Sequence, residues 1–241
     1  MRELWQELQQ ELTGLVLPAD CAGCGSPRAR GQLCRECSSA LTCAVPRRVW
    51  PSQVPSGLPA VYGAVPYADE ARAVLLAHKE RGALRLAAPL GAVLAGAVRM
   101  AVAVAGATPP ATPHVPRGPV SLVPVPSARR AVAGRGHDPV RRMAVIAARE
   151  LRRSGVPARV LTVLRQRRAV ADQAGLTAEQ RLANLNGALE SAPGSARFLE
   201  EGETVLVDDL MTTGASLVEA ARAISVEAGG VAGAAVVAWR P

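Results

Sequence analysis

Aromatic side chains are nearly absent from this sequence: three Trp, two Tyr and one Phe among 241 residues. Platforms that stack the bases of single-stranded nucleic acid need exposed rings, so that binding mode is disfavoured. Apolar residues still make up 49% of the chain, and the core must therefore be built from Val, Leu and Ala. Lysine is scarcer still. Lys79 stands alone among 28 basic residues, so nearly every positive charge is a guanidinium. The Gly-x-x-x-x-Gly-Lys pattern of a Walker phosphate loop is missing, which excludes that class of nucleotide binder. No secretory leader is visible, because Met-Arg-Glu-Leu-Trp-Gln-Glu is charged from its second residue. The longest apolar helical stretch, Leu86 to Val98, is shorter than the ~20 residues that a span requires. These absences lead us to expect a soluble, cytoplasmic protein with no membrane span.

A chain of this length accommodates one ordinary core plus a small module. Its net charge of +8 is unevenly spread. Residues 115–170 hold 13 Arg and two acids, whereas residues 171–241 hold four Arg and ten acids. The basic stretch is either a solvated helix face or the footprint of a polyanion, a nucleic-acid backbone or a diphosphate. Four of the five cysteines form Cys21-Ala-Gly-Cys24 and Cys34-Arg-Glu-Cys37. Each short turn offers two thiolates at the right bite for one tetrahedral Zn²⁺, with a redox or disulfide role as the alternative. Four thiolates would close the coordination shell, which makes such a metal structural. Cys43 is left over and is expected to be a buried thiol.

Leu4, Leu8 and Leu12, with Trp5 beside them, predict a short amphipathic helix ahead of the cysteines. Pro46 to Pro59 reads as a connector, which places a module boundary near residue 60: an N-terminal helix and four-cysteine module over 1–60, and a larger domain over 61–241. In the larger part, Val61 to Tyr67 is a strand, followed by helices over Asp69–Glu80 and roughly Leu86–Val104. Ala107 to Pro119 is a proline-rich loop. Val120 to Val125 is a strand, and Asp138 caps a helix that begins at Pro139 and runs to Ser154. Ala158 to Leu164 reads as a strand, and Thr177-Ala-Glu-Gln180 is a capping box. Thr204 to Val207 is a strand, Ala215 to Ala228 a helix, and Val231 to Ala238 a last strand. Short all-apolar strands alternating with helices predict an α/β fold, a parallel sheet covered on both faces.

The stretch Thr204-Val-Leu-Val-Asp-Asp-Leu-Met-Thr-Thr-Gly-Ala-Ser216 sets two acids after an apolar strand and a hydroxyl-rich turn before a helix. Ligands bind such sheets at the carboxyl ends of strands. A helix start presents unpaired N–H groups and the positive end of a dipole to a phosphate. Gly214 would let the backbone approach, while Thr212, Thr213 and Ser216 would add donors. Asp208 and Asp209 can accept from vicinal sugar hydroxyls. The spacing therefore suits a ribose 5-phosphate, provided the strand is already ending at the acids, since strand neighbours otherwise point to opposite faces. The plainer alternative is a solvated Asp208 beside an Asp209 that caps the helix.

This stretch resembles the 5-phosphoribosyl 1-diphosphate (PRPP) loop of type I phosphoribosyltransferases. Together with the four-cysteine knuckle, Val123-Pro-Val-Pro126, Arg135-Gly-His-Asp138 and Gln173…Arg181…Asn184, it resembles the competence protein F (ComF) family from about Cys21 to Trp239. The resemblance implies a type I phosphoribosyltransferase-like fold. It implies that Asp208 and Asp209 are the catalytic pair holding the ribose hydroxyls, that Thr212, Thr213, Gly214, Ala215 and Ser216 hold the 5-phosphate, and that Met211 is also among the PRPP-binding residues. Val125, Pro126 and Ser127 would form the diphosphate loop, Arg135 would lie near it, and a Mg²⁺ ion would accompany PRPP. Gln173 to Asn184 would belong to a flap over the anomeric carbon, keeping water from PRPP.

Two departures stand out. His137 and Asp138 replace the aromatic and amide of the family pattern, and His137 reads more simply as a packing or capping group than as a base. No segment reads as a pocket for a nucleobase, so the acceptor is left open. Lys79 falls where the family has a lysine before a glycine, and it either touches substrate or lies exposed on a helix end. Two functions follow. One is a Mg²⁺-dependent, PRPP-binding phosphoribosyltransferase linked to DNA uptake. The other is a non-catalytic module of DNA uptake that binds single-stranded DNA through the Arg-rich region 117–168, alone or with other competence proteins.

Overall fold

Apolar runs too short for helices become strands buried on both faces. Val61–Pro66 (β2) is buried except at Pro66, and Gly233–Trp239 (β8) is buried throughout. The computed structural model describes residues 20–27, 32–105, 118–127, 129–168, 170 and 175–240. The helix expected around Leu4 to Leu12, most of the loop before Pro119, Arg117 and Gln173 lie outside the described residues. The fold is mixed α/β with a mostly parallel six-stranded sheet flanked by helices. Its strand order is β1-β2-β8-β7-β3-β4, where β1 is Arg47–Val49, β3 Val120–Pro124, β4 Ala158–Val160 and β7 Thr204–Met211. Only β1, at one edge, runs antiparallel to its neighbour.

Side-chain alternation sends the strands' apolar groups into two layers. Tyr62, Leu122, Val205, Val207, Ala235 and Val237 meet the helices α2 (Asp69–Glu80), α3 (Ala87–Ala105) and α5 (Pro139–Arg153). Val61, Val123, Leu206, Ala234 and Val236 meet helix α8 (Ala215–Ser225) and a two-stranded hairpin of β5 (Leu164–Gln166) with β6 (Leu189–Ser191). Buried Glu219 on α8 accepts the Leu189 N–H at 2.8 Å, and Arg222 donates to the Leu189 carbonyl at 2.8 Å, pinning that hairpin to the helix.

Several expectations change. The strand expected over Ala158 to Leu164 is two: the ladder ends where Leu161 N–H donates to Leu122, and the chain then crosses to the second layer. The connector Pro46 to Pro59 contains β1, hidden because two of its three residues are exposed arginines. Short helices also occur at Arg35–Thr42 (α1), Arg129–Arg135 (α4) and Ala196–Leu199 (α7). Cys43 is exposed, not buried, because it caps the C-terminus of α1 with its side chain toward solvent. Leu41 of α1 lies in the first-layer core, so the cysteine module packs on the sheet's own helices.

Helix α3 is longer than its apolar run suggested. With its preceding turn it spans 22 residues at a mean hydropathy of 1.8, enough by length and composition to cross a membrane. It is the one such helix among the described residues, and 56% of that window is buried. Leu90, Leu94, Ala97 and Val98 face the core, so packing accounts for the apolarity.

Candidate functional site at the β3–β7 edge

From β3 the chain passes through α4 and α5 to β4 on one side; from β7 it passes through α8 to β8 on the other. The helices α5 and α8 cover opposite faces. The carboxyl ends of β3 and β7 therefore form a topological switch point, the crevice where open α/β sheets bind ligands. Val125, Pro126 and Ser127 leave β3 there, and Val125 N–H donates to Val207 O at 2.9 Å. Asp208 is the next residue along β7.

The acids do not lie beyond the strand. β7 continues to Met211, because β8 pairs with it as far as Met211 opposite Trp239. β3 has stopped by then, so only one side of β7 remains laddered. On the open side the Asp209 N–H is taken by Asp208 Oδ1 at 2.8 Å. Alternation also fails here: Val205 and Val207 face the first layer and Leu206 the second, yet Leu210 packs with the first layer and Met211 with the second. The strict opposition of neighbouring side chains is relaxed at the aspartates, and the two carboxyl groups lie within each other's electrostatic reach.

Lys79 is the residue that the sequence underrated. It lies in the last turn of α2 and places Nζ 2.7 Å from Asp209 Oδ2, with the Asp209 side chain only 8% exposed. Burial works against the Lys79 charge, but the adjacent Asp209 carboxylate outweighs it and raises the pKa. Asp208 is held well above the usual carboxylate range, first by removal from water and then by the charge of Asp209. One ammonium thus serves two acids, and the second acid is disfavoured as an anion. Arg135 sits at the same end, donating to Glu80 at 3.1 Å.

The turn after β7 is shaped by Gly214. Its φ of 76° is left-handed, which strains any other residue, and an added Cβ would also press on Leu58 Cδ1 at 2.8 Å. Thr213 Oγ1 accepts the Ala215 N–H at 3.4 Å. The next amides of α8, Ser216 and Leu217, are among those that a helix start leaves without intrahelical partners. Helix α6 (Ala178–Leu185), opened by the Thr177–Gln180 capping box, packs Leu185 against Ala215. His137 places Nε2 3.2 Å from the His78 carbonyl and Nδ1 3.0 Å from the Arg135 carbonyl, joining α2 to the corner before α5. Asp138 caps α5 through Arg141 N–H. His137 and Asp138 thus act here as a packing and a capping group.

A second constellation is formed by Cys21, Cys24, Cys34 and Cys37, whose sulfurs all lie within 4.8 Å of one another. A tetrahedral ion with metal–sulfur bonds of ~2.3 Å sets its ligands about 3.8 Å apart, and the Cys24–Cys34 sulfurs are 3.7 Å apart. Backbone N–H groups of Cys34 and Cys37 donate to the sulfurs of Cys21 and Cys34. Burial would raise the Cys21 pKa, but amide donors hold it down to about 6, whereas burial and neighbouring sulfurs push Cys37 up. Four thiolates this close would need a cation between them, and the cluster could bind a structural metal, consistent with zinc. Gly23 makes room for it: a Cβ there would lie 2.8 Å from Cys37 Sγ. Beside the cluster, a crevice of about 500 Å³ opens against Ala73, Ala77 and Arg81 and includes none of the β7 residues.

Comparison with models of known protein families and with the curated proteins returns no match.

Proposed function

We propose that the β3–β7 edge is a PRPP site and that the chain is a phosphoribosyltransferase-like protein of ComF type, with the acceptor open. The observation that carries this reading is the meeting of three elements at one switch point: the Val125–Ser127 loop, the Asp208–Asp209 pair and the Thr212–Ser216 turn. An acid pair beside a helix start suits a sugar diol and a phosphate on one ligand. The carboxylates of Asp208 and Asp209 would accept from the ribose hydroxyls. The first-turn amides of α8, with Thr212, Thr213 and Ser216, would hold the 5-phosphate. Val125, Pro126, Ser127 and Arg135 would face the diphosphate. Hard carboxylate oxygens suit a Mg²⁺ ion carried in with the ligand, and such an ion supplies charge compensation for the departing diphosphate. Catalysis at such a site would rest on positioning and electrostatic stabilisation, with no covalent enzyme intermediate. We assign zinc to the four cysteines as a structural ion.

One observation favours a second reading. Arg141, Arg142, Arg149, Arg152 and Arg153 are all exposed on α5, opposite its buried Val140, Met143, Ala144, Ala147, Ala148 and Leu151. This stripe runs ~18 Å along the helix and offers a polyanion such as single-stranded DNA an electrostatic track. One pair of measurements separates the readings. PRPP with Mg²⁺ should raise the melting temperature of the wild type and not of the Asp208→Asn, Asp209→Asn double variant. Salt-sensitive DNA binding, if that is the function, should survive the same substitutions. An equal PRPP shift in both proteins would remove the acids from the site.

A further inference from the structure

We propose that Arg181 is a binding residue for the sugar's 5-phosphate, a second cationic contact that makes the turn after β7 selective for a phosphorylated ligand. This inference rests on the PRPP reading and adds to it a residue from a separate helix. α6 begins at a capping box and is eight residues long. Its Leu185 is buried against Ala215, the first residue of α8. Arg181 lies four residues earlier, on the same face of the helix, and is therefore carried over the turn itself. Its Nη1 reaches Thr212 Oγ1 at 3.5 Å, a long contact for a donor of this strength.

The rest of the guanidinium carries the argument. Arg181 Nε is buried and has no hydrogen-bond partner. Arg181 forms no ion pair among the described residues, although Arg159, Arg165 and Arg222 each pair with a glutamate in the same half of the chain. A buried N–H donor left without an acceptor is rare and calls for an explanation such as an absent anion. Here the donor borders a turn that already offers the Thr212 hydroxyl and the first amides of α8. A phosphate seated there would accept from the guanidinium and the helix start together, with the planar geometry in which Arg exceeds Lys. Arg135 also has a buried Nε without a partner, but its Nη1 is already paired with Glu80.

Calorimetry on the full chain with ribose 5-phosphate, PRPP and inorganic diphosphate tests this assignment. Arg181→Gln should weaken ribose 5-phosphate and PRPP at least tenfold and change diphosphate by less than twofold. Arg181→Lys, which keeps the charge but not the fork, should weaken the sugar phosphates about threefold. Wild-type affinity for ribose 5-phosphate in either variant overturns the assignment, as does an equal loss for all three ligands. If Arg181→Gln fails to fold, the lysine variant alone decides. A wild-type protein that binds neither sugar phosphate sinks the PRPP reading itself, whereas binding that ignores Arg181 sinks only this inference.

Discussion

Replacing Asp208 by Asn should stabilise the ligand-free protein while abolishing its response to PRPP. Burial and the neighbouring charge of Asp209 hold the Asp208 carboxyl well above its ordinary value of 3.8, so its ionised form is unfavourable in the folded state. Lys79 offsets this only in part, since its ammonium is paired directly with Asp209 at 2.7 Å and acts on Asp208 through charge alone. Asparagine retains an Oδ1 for the Asp209 N–H, now accepted at 2.8 Å, so the substitution removes charge and keeps the hydrogen bond. Because the folded pKa is raised, the native state holds the extra proton. The favourable contribution is present below the unfolded pKa and is lost as pH rises through the folded one. The advantage of the variant should therefore be near zero at about pH 4, where protonated Asp and Asn are equivalent. It should grow by up to about 1.4 kcal/mol per pH unit and then level off. By pH 7 the advantage should be large enough to read as a higher Tm, at roughly 2–4 °C per kcal/mol for a domain of this length. Calorimetric melts of both proteins from pH 4 to 8 measure it. A variant that melts no higher than wild type at pH 7, or a gap that widens on acidification, refutes the reasoning.

Lys79→Met should destabilise the fold by about 1–3 kcal/mol in urea melts, less than a fully buried pair would cost because Lys79 is one-third exposed. The loss should shrink in an Asp209→Asn background, and additivity of the two substitutions would dissociate them. The purified chain should carry one zinc ion. In folded protein Cys43 should react alone with a thiol reagent, and a chelator should release Cys21, Cys24, Cys34 and Cys37 and lower Tm, because Cys37 and Leu41 are buried against the helices. Four thiols that react at the same rate with and without chelator would dismiss the metal.

The legible features are those whose chemistry is local in the chain. Asp138 and Gln180 hydrogen-bond to groups three residues away, so both helix caps could be read from spacing alone. The paired Cys-x-x-Cys turns set ligand distances by backbone length, and the positions of Gly214 and the hydroxyls around it follow from the turn they form. What escaped reading involves partners distant in sequence. Lys79 and Asp209 are 130 residues apart, and His137 is 59 from His78. The arginines of β1 gave no strand pattern, because an edge strand is fixed by its neighbour and not by its own apolar run.

The amino-acid order by itself determined which chemical groups are present and which short-range turns they occupy: four cysteines in two Cys-x-x-Cys turns, two acids after an apolar run, a glycine before a helix. Only the tertiary structure decided how far β7 extends. That depends on β8 continuing where β3 stops, a difference in length between strands far apart in the chain. The same packing decided that one ammonium serves two carboxyls, since charge pairing at a sheet edge is set by which helix end the fold brings there.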